Sequence, residues 1–172
     1  VSVVTPGNHV VMLTMEMSRE LIDLTDRWVT AAPEKRQRKA SPHMTVCFVG
    51  KNLTEDDGKV ILDVTRRHAD DAPRFVASQS HLRMFGKDRN CLVVLMTASI
   101  QLIDFRQHIL ENLKAANVDV KEGGWSYNPH VTLAEGVKDD EMPQSRVRGY
   151  SLAVKNVCVK IGETYHVIKE FA

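Results

Sequence analysis

The sequence predicts a single domain of mixed strands and helices, built as two like halves. Three observations carry that expectation. A six-residue pattern occurs twice, as Ser41-Pro42-His43-Met44-Thr45-Val46 and as Asn128-Pro129-His130-Val131-Thr132-Leu133. Each copy follows the same order of segments: a β-rich run, an amphipathic helix, then a loop. The helices also share a signature, Leu21-Ile22-Asp23 against Leu102-Ile103-Asp104, at a shift of 81 residues, while His43 and His130 lie 87 apart. Duplicated halves usually pack about a pseudo-two-fold axis, which would set the two His strands face to face across a central cleft. At 172 residues the chain is long enough to bury a real core.

The elements follow from local pattern. Val10-Val11-Met12-Leu13 is β-rich. Ser18 offers an N-cap to a helix that gathers Leu21, Leu24 and Trp28 on one face. The polar, basic stretch from Pro33 to Ala40 reads as a loop. Pro42 to Val49 is a strand closed by Gly50. Thr54 followed by Glu55-Asp56-Asp57 resembles a capping box and starts a helix with Val60, Ile61 and Val64 on one face. Arg74 to Met84 reads as extended chain with a break. Phe85 to Asn90 reads as a turn, with Phe85 expected in the core. Cys91 to Thr97 is an apolar run of strand length. Ser99 caps a helix carrying Leu102, Phe105 or Arg106, Ile109 and Leu113. Glu122-Gly123-Gly124 breaks the chain before the strand Pro129–Gly136. A loop runs from Val137 to Gly149, and Tyr150–Lys160 with Thr164–Phe171 forms a hairpin turning at Ile161-Gly162-Glu163.

Composition disfavours several classes, long nucleic acid among them. The net charge is +1, so no global field draws long nucleic acid or an anionic membrane, and an anionic ligand must be held locally. The three cysteines, Cys47, Cys91 and Cys158, are scattered and odd in number, which points to reduced thiols in a cytoplasmic setting. No apolar run is long enough for a bilayer, and Val1 to Gly7 does not compose a secretory signal. A monomer without membrane partners is expected.

The repeated pattern is the chemistry-bearing feature. Side chains two apart on a strand point the same way, so each copy presents one imidazole and one hydroxyl together. One H-x-T among seven histidines and ten threonines would mean little. Two copies with Pro before His, apolar residues at the alternate positions and a Gly near the end (Gly50 and Gly136) are a stronger signal.

These residues resemble the 2H phosphoesterases, the LigT-like family that includes bacterial 2′-5′ RNA ligase-like proteins and RNA cyclic phosphodiesterases. The family is named for two H-x-T/S-x motifs, which stand here as His43-Met44-Thr45-Val46 and His130-Val131-Thr132-Leu133. Met84-Phe85-Gly86 leading into Leu92-Val93-Val94-Leu95 is also similar to the family's middle section, and phage-encoded members look most alike. The resemblance covers most of the chain. It implies a bilobal α+β fold with one motif per lobe and a central cleft. It also implies phosphodiester hydrolysis on a nucleotide or short oligonucleotide, with a 2′,3′-cyclic phosphate or a 2′-5′ linkage as substrate. A phage enzyme that degrades cyclic oligonucleotide defence signals, and a module that binds RNA ends without cutting, are the alternatives.

The residues suit that chemistry on their own terms. Cleaving a phosphodiester needs a base at the attacking oxygen and an acid at the leaving oxygen, and imidazole serves as either near neutrality. In-line displacement puts these two oxygens on opposite sides of phosphorus, one for each His. Thr45 and Thr132 would donate to the non-bridging oxygens, where charge must be held. His130 is expected as base and His43 as acid. No metal or other cofactor is expected, since the motifs offer two His and no carboxylate at a ligand spacing. Cys47, two beyond Thr45, shares its face by simple alternation, as a small space-filling residue. Trp125 and Tyr127 are candidates to stack a base. Lys87 and Arg89 in the turn, with the run Lys35-Arg36-Gln37-Arg38-Lys39 and Arg146 and Arg148 in the late loop, are candidates to meet phosphate.

Overall fold

Strand pairing closes the sheet on itself. The structure, a computed structural model, describes residues 3–87, 90–121, 127–136, 141–143, 147 and 151–171. In chain order the elements are β1 (Asn8–Glu16), α1 (Arg19–Ala31), β2 (Arg36–Arg38), β3 (His43–Lys51), α2 (Glu55–Asp70), β4 (Val76–Phe85), β5 (Cys91–Ala98), α3 (Ile100–Ala115), β6 (His130–Gly136), β7 (Ser151–Ile161) and β8 (Thr164–Glu170). The order β1-β3-β6-β5-β4-β7 returns to β1, with β8 added on β7 and β2 on β6. All pairs are antiparallel. The ring has two thin seams. β3 meets β6 through Met44 and Val131 alone, and β4 meets β7 over three residue pairs. Between the seams lie two well-paired sheets, one per lobe.

The helices begin where their caps require. Ser18 Oγ accepts from Leu21 N at 3.3 Å, Ser99 Oγ from Leu102 N at 3.2 Å, and Thr54 Oγ1 from Asp57 N at 3.1 Å. Each bond satisfies an amide that the first helical turn leaves unpaired. The apolar stripes of the helices pack on one face of the strands. Leu21, Leu24, Ile61, Val64, Leu102 and Ile109 join Leu13, Met44, Val94 and Val131 in one core. No helix among the described residues is long and apolar enough to cross a membrane.

The duplication runs deeper than the sequence reading. Met12, Leu13 and Thr14 of β1 pair with Thr45, Met44 and His43; Val93, Val94 and Leu95 of β5 pair with Thr132, Val131 and His130. The same 81-residue shift relates both strand positions and helix caps. A third pair of strands matches as well, because β7 lies on β1 as β4 lies on β5. Chain order hides this match, since β4 precedes its lobe's motif while β7 comes long after its own. The two His strands meet edge to edge at the seam.

Two expectations change here. The loop expected from Pro33 to Ala40 contains β2, with Arg36, Gln37 and Arg38 paired to Gly136, Glu135 and Ala134. Gly136 permits it, because a Cβ there would collide with the Lys35 carbonyl. Arg36 is accordingly no solvated charge. Its guanidinium lies 4.1 Å over the Trp28 ring and donates to the Trp28 carbonyl at 2.8 Å, and its side chain is 3% exposed. Arg36→Ala should therefore lower stability by about 2–3 kcal/mol, through the lost charged hydrogen bond and ring contact, as read from denaturant midpoints. Phe85 was expected in the core. Alternation gives that place to Met84, which is buried, and turns Phe85 to the opposite face, where it is half-buried.

Candidate active site

Each His is fixed by its own backbone. His43 Nδ1 lies 3.2 Å from the Ser41 carbonyl, and His130 Nδ1 lies 2.8 Å from the Asn128 carbonyl. A carbonyl only accepts, so Nδ1 carries the hydrogen and Nε2 is turned outward. The proline between the accepting carbonyl and His in each copy has no N–H, and it restricts the preceding residue to extended conformations, which supports this two-residue reach.

The seam places the four motif side chains together. Met44 and Val131 are both fully buried, so their neighbours in sequence face the other side of the sheet. An antiparallel pair centred on Met44 and Val131 sets His43 beside Thr132 and Thr45 beside His130. The four form a quadrilateral with the imidazoles at opposite corners. Strand spacing and strand rise put that diagonal at about 8 Å between Cα atoms. All four side chains are half-buried.

A β-bulge follows each motif. Between Thr45 and Cys47 the register skips Val46, and between Thr132 and Ala134 it skips Leu133. In both copies the fourth motif residue is thus the extra residue, and the strand twists there. This bulge corrects the expectation for Cys47. Simple alternation would leave it beside Thr45, but the extra residue turns it inward, opposite Val11, where it is fully buried in the main core. Each bulge carbonyl is taken by the other lobe or its neighbour: Arg106 Nε donates to the Val46 carbonyl at 2.9 Å, and Lys39 N donates to the Leu133 carbonyl at 2.9 Å.

The remaining expected site residues are spread more widely. Tyr127 is half-buried, its ring covered by the Arg106 guanidinium at 4.3 Å, and its hydroxyl donates to the Thr45 carbonyl at 2.7 Å. Its contacts in this structure hold the first motif strand against the approach to the second. Tyr127→Phe should cost about 1 kcal/mol of stability for the lost bond, with kcat falling more than KM changes, in steady-state kinetics with a thermal melt alongside. Lys87 is exposed on the turn after β4. Trp125, Arg89, Arg146 and Arg148 lie outside the described residues. Arg38 is paired with Asp26 at 2.8 Å and Lys39 with Glu135 at 3.5 Å.

One neighbour escaped the sequence reading. The Phe85 ring stands edge-on to His130, centroids 4.9 Å apart. The only available signal was its place one residue after the buried Met84. Burial lowers the pKa of His43 below the ordinary histidine value of 6.5, against the raising effect of its bond to Ser41, and the charges of Lys39, His130 and Lys160 lower it further. His43 is therefore neutral at a pH where an ordinary histidine is partly charged. Among the described residues, no three His, Cys, Asp or Glu side chains gather as metal ligands.

A hollow of about 690 Å³ opens beside His43 and Thr45, walled by the Gln37–Ser41 segment on one side and β8 on the other. Its floor is the face of β1, β3 and β7 turned away from the helices.

No protein-family model matches the sequence, and no curated protein matches it. Solved structures do. The chain is similar to E. coli LigT in its apo form, with a TM-score of 0.62 and 18% identity over 98% of each chain. It is similar to TT0787 of Thermus thermophilus, with a TM-score of 0.72 and 14% identity over 95% of this chain and 96% of the other. The MHV ns2 PDE domain gives a TM-score of 0.59 and 18% identity over 86% of this chain and 97% of its own. LigT has also been solved with 3′-AMP and with phosphate. At these identities the likeness is one of fold: the chain has the α+β fold of the LigT-like phosphoesterase structures.

Proposed function

We propose that this chain is a phosphodiesterase of the two-histidine type, acting without a metal on a nucleotide or short oligonucleotide. The observation that carries the proposal is the pairing of buried Met44 with buried Val131 at the seam, from which strand geometry sets the two imidazoles on a diagonal, each beside a threonine of the other lobe. A phosphorus centre placed within the quadrilateral has one imidazole toward the attacking oxygen and the other toward the leaving oxygen, the demand of in-line displacement. The fold shared with LigT, a protein solved with 3′-AMP and with phosphate, supports the choice of ligand.

The lowered pKa of His43 supports His43 as the base, the reverse of the assignment drawn from sequence. Neutral His43 takes the proton of the attacking water at Nε2 as the oxygen bonds to phosphorus. His130, protonated, gives its Nε2 proton to the leaving oxygen as that bond breaks. Thr45 and Thr132 donate to the non-bridging oxygens. The rate then needs His43 neutral and His130 charged, so kcat/KM against pH is bell-shaped. Its acid limb follows His43 deprotonation, and activity climbs with pH through a midpoint below 6.5. An acid limb centred above 6.5 would overturn the assignment of His43 as base.

Substrate class is tested by a panel of 2′,3′-cyclic nucleotides, 2′-5′ oligoadenylate, and cyclic di- and trinucleotides. Turnover of the first two supports the proposal as stated. Exclusive turnover of the cyclic oligonucleotides moves the chain to the phage defence-signal reading. Binding without turnover of any of them leaves an RNA-end binding module and defeats the catalytic proposal.

A further inference from the structure

We propose that the hollow beside His43 is a nucleobase subsite and that Asn156 reads the base; this deepens, and rests on, the reading of the two-His site as a phosphodiester site. The register lays out the floor of the hollow and its β8 wall as three rows across neighbouring strands. The first row is His43, Thr14, Asn156 and Glu170. The second is Thr45, Met12, Cys158 and Val167. The third is Phe48, Val10, Lys160 and Tyr165. Phosphate held at the start of the first two rows leaves the following group over Thr14 and Met12. Asn156 stands two strands from His43, about 10 Å away by strand spacing, the reach of a nucleotide from phosphate to base edge.

The floor has the chemistry of a base platform. Val10, Met12 and Cys158 form an apolar cluster of their own, apart from the main core, with Phe48 packed against it. Val10, Met12, Cys158 and Phe48 all line the hollow. An apolar floor with few polar groups at its edge is how planar ligands are held. Asn156 supplies the polar edge. It lines the hollow at 8% exposure, and its Oδ1 is buried from solvent and meets no donor among the described residues. A buried amide oxygen without a partner is a cost to the free protein. Base recognition requires the amide to turn about its last side-chain bond so that Oδ1 reaches the hollow beside its nitrogen, and an acceptor beside a donor matches the edge of adenine.

The second lobe does not repeat this surface. The counterparts of Cys158 and Lys160, by register against β5, are Arg83 and Phe85, and the counterpart of Phe48 is Glu135. The duplication kept the motifs and diverged in the floor. One base, on the His43 side, is therefore read here.

Calorimetry with three ligands tests this: ribose 3-phosphate, adenosine and adenosine 3′-monophosphate. The intact protein is expected to bind the nucleotide at least several-fold more tightly than the sugar phosphate. Asn156→Leu should shrink that gap about three- to tenfold, leave ribose 3-phosphate binding unchanged, and keep or raise the melting temperature, because it removes an unsatisfied buried polar atom. Val167→Trp, at an exposed position on the wall, should shrink the same gap by filling the hollow without touching the main core. If ribose 3-phosphate binds and the base adds nothing, or if both variants keep the gap, the subsite is wrong while the phosphodiester reading stands. If adenosine binds in an Asn156-dependent way and ribose 3-phosphate does not bind, the subsite stands and the phosphodiester reading falls.

Discussion

His43→Ala and His130→Ala should each lower kcat/KM by about 10²–10⁴-fold, the usual worth of a positioned acid or base. Neither change should unfold the protein. Both imidazoles are half-buried on the face turned away from the core, and each meets a carbonyl two residues back among the described residues. Thermal midpoints therefore separate lost chemistry from lost fold. The double variant should be little worse than the poorer single one, because residues that act as a unit do not contribute additively. A leaving group that needs no proton distinguishes the partners. On a p-nitrophenyl ester of the best substrate, His130→Ala should recover much of its loss, since the phenolate departs unaided, while His43→Ala should not. Recovery by His43→Ala instead would return the acid role to His43. Full activity in either single variant would end the two-histidine mechanism.

Much of this site was legible in sequence because its determinants are local. Serine and threonine caps mark three helix starts to the residue. The alternation in His43-Met44-Thr45 and His130-Val131-Thr132 fixes which side chains share a face, and burial of Met44 and Val131 agrees. What escaped depends on partners far away in the chain. Cys47 was misplaced because a bulge is a property of two paired strands, and nothing within Val46-Cys47-Phe48 announces the skipped register. β2 is three residues of polar sequence whose strand character comes from β6 and from the room that Gly136 leaves. Arg36 reads as one charge in a basic run until Trp28, eight residues earlier, is seen beneath it. Asn156 carries no motif at all. Its interest comes from the strand two places from His43, a relation that only the closed sheet creates.

Thr45→Val and Thr132→Val test the seam itself. Each removes one hydroxyl donor from the charge that develops on phosphorus, and each should lower kcat by about 10–10³-fold with KM changed less. Thr→Ser at the same position keeps the hydroxyl and should restore most of the rate. The sharper expectation concerns which pairs act together. Met44 opposite Val131 puts Thr132 beside His43 and Thr45 beside His130, so each hydroxyl adjoins the imidazole of the other motif. In double-mutant cycles on kcat/KM, His43 should couple to Thr132, and His130 to Thr45, with energies of about 0.5–3 kcal/mol, larger than the couplings within each motif. A slip of one residue at this single-pair seam would exchange the faces of one strand and bury its imidazole. Stronger coupling within His43–Thr45 and His130–Thr132 than across the seam would thus contradict the edge-to-edge pairing on which the proposed in-line geometry stands.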